Sequence, residues 1–291
     1  MRRSTGPADR RQAYLMVAPA VVILAGVAVY PILAAAWLSL HRMILVFHEQ
    51  RFVGLDNYVF LVRDARFRAA LGNTTYFSLV AVALELALGL GFALLLSSAA
   101  PGRGLLRASI LVPWAIPTVV SARLWGWLFN PDHGLVTRLL PVSDVNILGT
   151  PGYAMHAAIL VDVWKTTPFV ALLLLAGLQT IPADLYRAAE IDGASRLRAF
   201  RSITLPLLRP TIAVVLVFRT LDAFRVFDAV YVLTEGGPAN TTETLSIYAY
   251  KMLMRSGDFG YGSTLSVATF FCVMAISVFY LRTVARAGAP S

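Results

Sequence analysis

The chain has 291 residues, 58% of them hydrophobic and 14% charged, with a mean hydropathy of +0.69. That balance excludes a soluble globular domain, because it leaves too little polar surface to face water. The formal charge of +9 does not imply a nucleic-acid-binding face either, since the arginines are scattered over short loops beside apolar runs, as topology determinants are.

Apolar runs of about 20 residues, enough to cross ~30 Å of hydrocarbon, recur six times: roughly 15 to 40, 74 to 98, 106 to 129, 156 to 181, 210 to 233 and 263 to 283. The first follows Arg2, Arg3, Arg10 and Arg11. It is too long for the apolar core of a signal peptide and has no small-residue cleavage site before Tyr30 and Pro31, so it is expected to span. The third run contains Pro113 and Pro117, which predict kinks. Lone Cys272 in the last run can form no internal disulfide, and the four histidines show no metal-ligand spacing. Residues 1–12 and 284–291 read as unstructured ends around a single six-span domain, 13–283.

Charge predicts the orientation. With the N-terminus inside, the inner segments hold 13 arginines against four carboxylates, while the basic and acidic residues of the outer loops balance. The positive-inside rule then makes both termini cytosolic, although Arg63, Arg66 and Arg68 fall on the other side.

Residues 181–210 are too polar to enter the bilayer. Pro182 suits the first turn of a helix, Asp184 complements its positive end, and Gly193 after Asp192 reads as a left-handed cap. A second short helix is expected from Ala194, with Leu197, Phe200 and Ile203 on one face and Pro206 and Pro210 marking the return to the membrane. On physical grounds this is either a handle for another protein or an inert interfacial hairpin.

The segment resembles the EAA loop of permease subunits of ATP-binding-cassette importers, through Ala188, Ala189, Asp192, Gly193, Ala194, Ile203, Leu205 and Pro206. Arg187 stands where most members carry glutamate. Similarity to the carbohydrate-uptake branch, with its maltose and trehalose permeases, extends from about 12 to 283 through blocks such as YPILAAAWLSL, LVPWAIPTVV, VWKTTPFVALLLLAGL and FRTLDAFRVFDAVYVLTEGGP. The resemblance implies an all-α integral membrane protein, a six-helix bundle of the type I importer kind in the inner cell membrane. Its coupling helix, in loop 182–209, would offer Arg187, Ala188, Ala189, Asp192, Gly193 and Ala194 to an ATPase dimer. It also implies a second permease subunit and an extracytoplasmic solute-binding protein. The chain lacks a GxxxxGK[ST] phosphate loop, so it is expected to be no enzyme and to hold no cofactor, with ATP and Mg on the partner ATPase.

Eight ionisable residues lie inside the expected spans: Glu85, Arg123, Asp162, Lys165, Arg219, Asp222, Arg225 and Asp228. Each is costly in hydrocarbon and needs a partner or water. The i,i+3 spacing lets opposite charges meet along one stripe, and Glu85 and Arg123 are read as struts between helices. The maltose-type pattern implies cargo contacts at Trp114, Thr118, Thr166, Phe169 and Arg225, and charge adds Asp162, Lys165, Asp222 and Asp228 to the substrate path. The maltose pattern has uncharged amides where Arg225 and Val226 stand. The expected cargo is a sugar, such as trehalose or maltose. The alternatives are glycerol 3-phosphate within the same class and, more remotely, a secondary transporter, for which no internal repeat is evident.

Overall fold

The computed structural model describes residues 7–97, 103–139 and 145–287. Arg2, Arg3, Asp144 and the last four residues of the expected tail lie outside them. In chain order the elements are α1 (Pro7–Leu24), α2 (Tyr30–Ser39), strands β1 (His41–Ile44) and β2 (Glu49–Phe52), α3 (Asp56–Arg63), α4 (Ala65–Ser97), α5 (Arg103–Ala115), α6 (Thr118–Leu128) and α7 (Leu135–Leu139). Then come α8 (Tyr153–Gln179), α9 (Ala183–Ile191), α10 (Arg196–Ala199), α11 (Leu205–Ala223), α12 (Asp228–Thr234), α13 (Leu245–Tyr250) and α14 (Phe259–Ala287). Among the described residues five helical stretches are long and apolar enough to cross a bilayer: Tyr14–Ser39, Ala65–Ser97, Tyr153–Gln179, Arg196–Ala223 and Phe259–Thr283. Helices α5 and α6, bent by 95°, make a sixth if counted as one broken span.

The chain divides into two compact units, residues 1–64 with 249–270, and 65–248 with 271–291. In the first, α1 and α2 are joined through a π-turn at Ala25–Val29 and expose apolar side chains such as Met16, Val22, Val27 and Leu33, as a helix solvated by lipid does. A two-stranded antiparallel hairpin follows, His41 opposite Phe52 and Ile44 opposite Glu49. Asn57 Nδ2 pins its start, donating to the carbonyls of Ser39 (2.8 Å) and His41 (3.0 Å).

The second unit is built around α8. A Cβ at Gly89 of α4 would stand 2.5 Å from Val170 Cγ1, and one at Gly177 of α8 would stand 2.5 Å from Thr211 Oγ1 on α11, so α8 meets both neighbours where a side chain is missing. Apolar clusters lie either side of its middle. Toward the Tyr153 end Phe77, Ala81, Met155, Ile159 and Val163 pack together. Toward the Gln179 end Ala93, Val170, Leu174, Leu208 and Val215 do so. Lys165, Thr166 and Thr167 of α8 lie between them.

The structure departs from the sequence reading at several boundaries. Helix α1 begins at Pro7 and α14 continues to Ala287, within stretches read as unstructured. Helix α4 starts at Ala65 rather than near 74, because Arg66 is tied down: its guanidinium bonds Glu243 at 2.7 and 2.9 Å and covers the Tyr248 ring. Nor does the fifth span begin at Pro210. A π-turn at Phe200–Thr204, where Leu205 N–H reaches back to the Phe200 carbonyl, joins α10 to α11 without a stop. The wider turn accommodates Pro206, which lacks an N–H and would otherwise crowd the preceding turn.

Candidate translocation site

The site begins at the break in the third span. Pro117 has no N–H to give, its ring crowds the turn before it, and it keeps Ile116 out of the helical region, so α5 stops at Ala115 and the chain turns before Thr118. An unmet carbonyl inside a bilayer is costly. The Ile116 carbonyl finds its donor in Lys165 Nζ of α8, at 2.7 Å. On the last turn of α5, Trp114 stacks against Phe169 of α8, ring centres 6.0 Å apart and planes 25° from parallel.

The fifth span is broken as well. Helix α11 ends at Ala223 and α12 starts at Asp228. Between them Arg225 N–H donates to the Asp222 carbonyl (3.1 Å) and Val226 N–H to that of Ala223 (3.2 Å), while Thr244 Oγ1 donates to the Val226 carbonyl (3.1 Å). The charged residues expected on one stripe are therefore divided. Arg219 and Asp222 pair along α11, whereas Arg225 lies in the unwound stretch and Asp228 opens the helix after it. Asp162 turns to Arg219 and Lys165 to Ile116, so these two charges meet other partners instead of each other.

Arg219 is the hub. Its Nε donates to Glu85 Oε2 at 2.6 Å and one Nη to Glu85 Oε1 at 2.7 Å, a bidentate pair between α11 and α4 that is almost wholly buried. The same nitrogen reaches Asp162 Oδ2 of α8 at 3.2 Å, and the other Nη bonds Asp222. Thr166 Oγ1 lies 2.5 Å from Glu85 Oε1 and 2.6 Å from the Asp162 carbonyl oxygen. One guanidinium thus ties three helices together through three carboxylates. Thr166 is the middle residue of the 27-residue α8.

A cavity of about 330 Å³ opens at this level, bounded by both breaks. Of the nine residues assigned to the substrate path from sequence, Trp114, Thr118, Asp162, Lys165, Thr166, Asp222, Arg225 and Asp228 line it, with Phe227 among the others. Phe169 instead backs the Trp114 ring. Glu85 is a strut as expected, whereas Arg123 is exposed on α6 and takes no part in the Glu85 cluster. Sequence reasoning missed the hub itself, counting Arg219 only as one intramembrane charge. Its i,i+3 spacing from Asp222 was the available signal. A contact to a backbone carbonyl, such as Lys165 to Ile116, leaves no mark in a sequence.

The loop between α8 and α11 forms the hairpin expected from its residues. Pro182 precedes α9, and Asp184 in its first turn pairs with Arg187 at 3.4 Å, both exposed. Gly193 has φ +73°, and Ala194 N–H closes on the Ala189 carbonyl at 2.9 Å, the bond of a left-handed helix cap. Ser195 caps α10, and the Tyr186 hydroxyl meets Thr204 Oγ1 at 2.9 Å, bracing the hairpin against the π-turn. Ala188, Asp192 and Gly193 are exposed, and Ala189 and Ala194 are partly so. Of the expected apolar face, Phe200 and Ile203 are partly buried while Leu197 is exposed, like Ile191 (87%) and Leu185.

Comparison with known proteins accords with this architecture. The family described as binding-protein-dependent transport system inner membrane component matches residues 85–287. The trehalose/maltose transport system permease protein of Thermococcus litoralis is 47% identical over 277 residues, 94% of each chain. The trehalose transport system permease protein of Mycobacterium tuberculosis is 41% identical over all of this chain and 95% of its own. A bacterial ABC transporter involved in the import of the acidic polysaccharide alginate superposes with a TM-score of 0.82 over 96% of both chains, at 23% identity. The chain therefore belongs to the binding-protein-dependent transport system inner membrane components, the permease family of ATP-binding-cassette importers.

Proposed function

We propose that the chain is the permease subunit through which an ATP-driven importer takes up a neutral sugar, a disaccharide of the trehalose or maltose kind. The observation that carries this reading is the cavity at the two broken spans. It joins an aromatic face, Trp114, to the hydroxyls of Thr118 and Thr166 and to charged groups already committed to the protein, Lys165 on Ile116 and Asp222 on Arg219. Aromatic faces and fixed donors and acceptors suit a polyhydroxylated ring, and about 330 Å³ is at the lower end of ligand-sized pockets. The relatives named for trehalose and maltose transport point the same way. An sn-glycerol-3-phosphate permease protein of Escherichia coli, 35% identical, supplies the competing reading. A phosphate dianion would meet Lys165 and Arg225 in this cavity, but also Asp162, Asp222 and Asp228, so the carboxylates outnumber the cations on the lining and oppose it.

In the proposed cycle a solute-binding protein delivers sugar from outside, and a second permease subunit completes the passage. ATP bound with Mg on a separate ATPase dimer moves the Gly193 hairpin, whose exposed Leu185, Ile191 and Leu197 would seat in the ATPase. The permease itself hydrolyses nothing. Uptake of labelled trehalose by the reconstituted complex, with maltose and glycerol 3-phosphate as competitors, tests the reading. ATP-dependent uptake blocked by either disaccharide is the expected result; inhibition by glycerol 3-phosphate alone would transfer the assignment to the phosphate ester.

A further inference from the structure

Among the described residues three buried side-chain polar atoms have no protein partner, and two of them, Ser121 Oγ and Trp125 Nε1, belong to α6. Thr118, Ser121, Ala122 and Trp125 follow one another at i, i+3, i+4 and i+7, so they share a face of that helix. The face starts at the cavity, on whose wall Thr118 lies. It then runs away from the Gly193 hairpin: Trp125 meets Trp164 of α8 edge-on at 5.6 Å, and one turn farther Phe129 packs on Ala157 and Val161, nearer the start of α8. Helix α12 closes the seam, with Leu233 packed against the same cluster and in contact range of Gly126.

A buried hydroxyl and an indole N–H left unpaired weaken the closed seam, since each has given up water without gaining a bond. Their places are apt for another purpose. Trp125, Trp164 and Phe129 provide aromatic surface, the unpaired donors provide hydrogen bonds, and the whole continues the cavity toward the face opposite the hairpin. Resting on the importer reading above, we propose that this α6 face is a second contact site for sugar hydroxyls, shut in the present conformation and opened to the outside when α6 parts from α8 and α12. There Trp125 Nε1–H and Ser121 Oγ–H donate to cargo hydroxyls on their way to the cavity.

Two variants of the full complex test it, both in a Cys272→Ser parent, which removes the native thiol. In Ser121→Cys, the introduced thiol should react with a membrane-impermeant maleimide added from outside when the ATPase is trapped with nucleotide and vanadate, and be protected without nucleotide. Equal reactivity in both states, or none in either, overturns the proposal. Trp125→Phe keeps the ring and removes the N–H. The KM for trehalose uptake should rise roughly threefold to tenfold, the value of one hydrogen bond, while the thermal midpoint of the complex stays level or rises because an unpaired buried donor has gone. An unchanged KM, or a fall in midpoint alongside the loss of uptake, overturns it. A parent without ATP-driven uptake would defeat the importer reading; an active parent with an unreactive Ser121→Cys defeats this proposal alone.

Discussion

Arg219 holds Glu85, Asp162 and Asp222 at once, and its own exposure is 3%. Removing the cation would strand Glu85 and Asp162 in the interior, a defect that costs far more than the pair itself contributes. Arg219→Met is expected to destabilise the fold by about 3–5 kcal/mol, visible as a lowered thermal midpoint of the purified complex, with Arg219→Lys losing less because the charge survives and only the fork is lost. Lys165 acts on the backbone instead. Lys165→Met leaves the Ile116 carbonyl without its donor, at about 1–3 kcal/mol, and lets Trp114 and Thr118 shift with the break. Sugar uptake should fall in that variant while the yield of assembled complex is retained; uptake at the parental rate would show that the break holds without it. Both side chains were legible as intramembrane charges, but their partners were not, because an i,i+3 pattern is met equally well within one helix or across two.

At the level of elements, prolines behaved in three different ways. Pro117 broke its span by 95°, Pro206 was absorbed after a π-turn, and Pro168 and Pro210 sit inside α8 and α11. The residue type states only that one hydrogen bond is missing; neighbouring donors decide whether the helix bends. The α9 hairpin was readable because its determinants are local, a proline start and a left-handed glycine end. Gly193 is the point at which this element is most sensitive, since any Cβ at φ +73° is strained. Gly193→Val is expected to cost about 1–2 kcal/mol locally, to abolish stimulation of the partner ATPase and to leave the helix content of the spans unchanged by circular dichroism. Full ATPase stimulation and uptake in that variant would remove the coupling role.

For the molecule as a whole, the +9 charge placed on one side predicts that the hairpin and both termini face the cytosol. Cysteines introduced at exposed Glu190 or Arg196, in the Cys272→Ser parent, should label only after permeabilisation of cells, whereas one at exposed His48 should label in intact cells. The reverse pattern would invert the topology. Six apolar runs, the hairpin and the family resemblance were present in the sequence by itself, because burial in lipid demands long apolar stretches and a glycine turn demands a glycine, each within a few residues. Tertiary structure alone decided which of the two prolines breaks the third span, where the fifth unwinds, which carboxylates Arg219 gathers and that eight of the residues expected on the substrate path surround one cavity. Those outcomes depend on helices brought side by side at gaps such as Gly89 against Val170, and contacts between residues 57 or 134 positions apart carry no periodic signal along the chain.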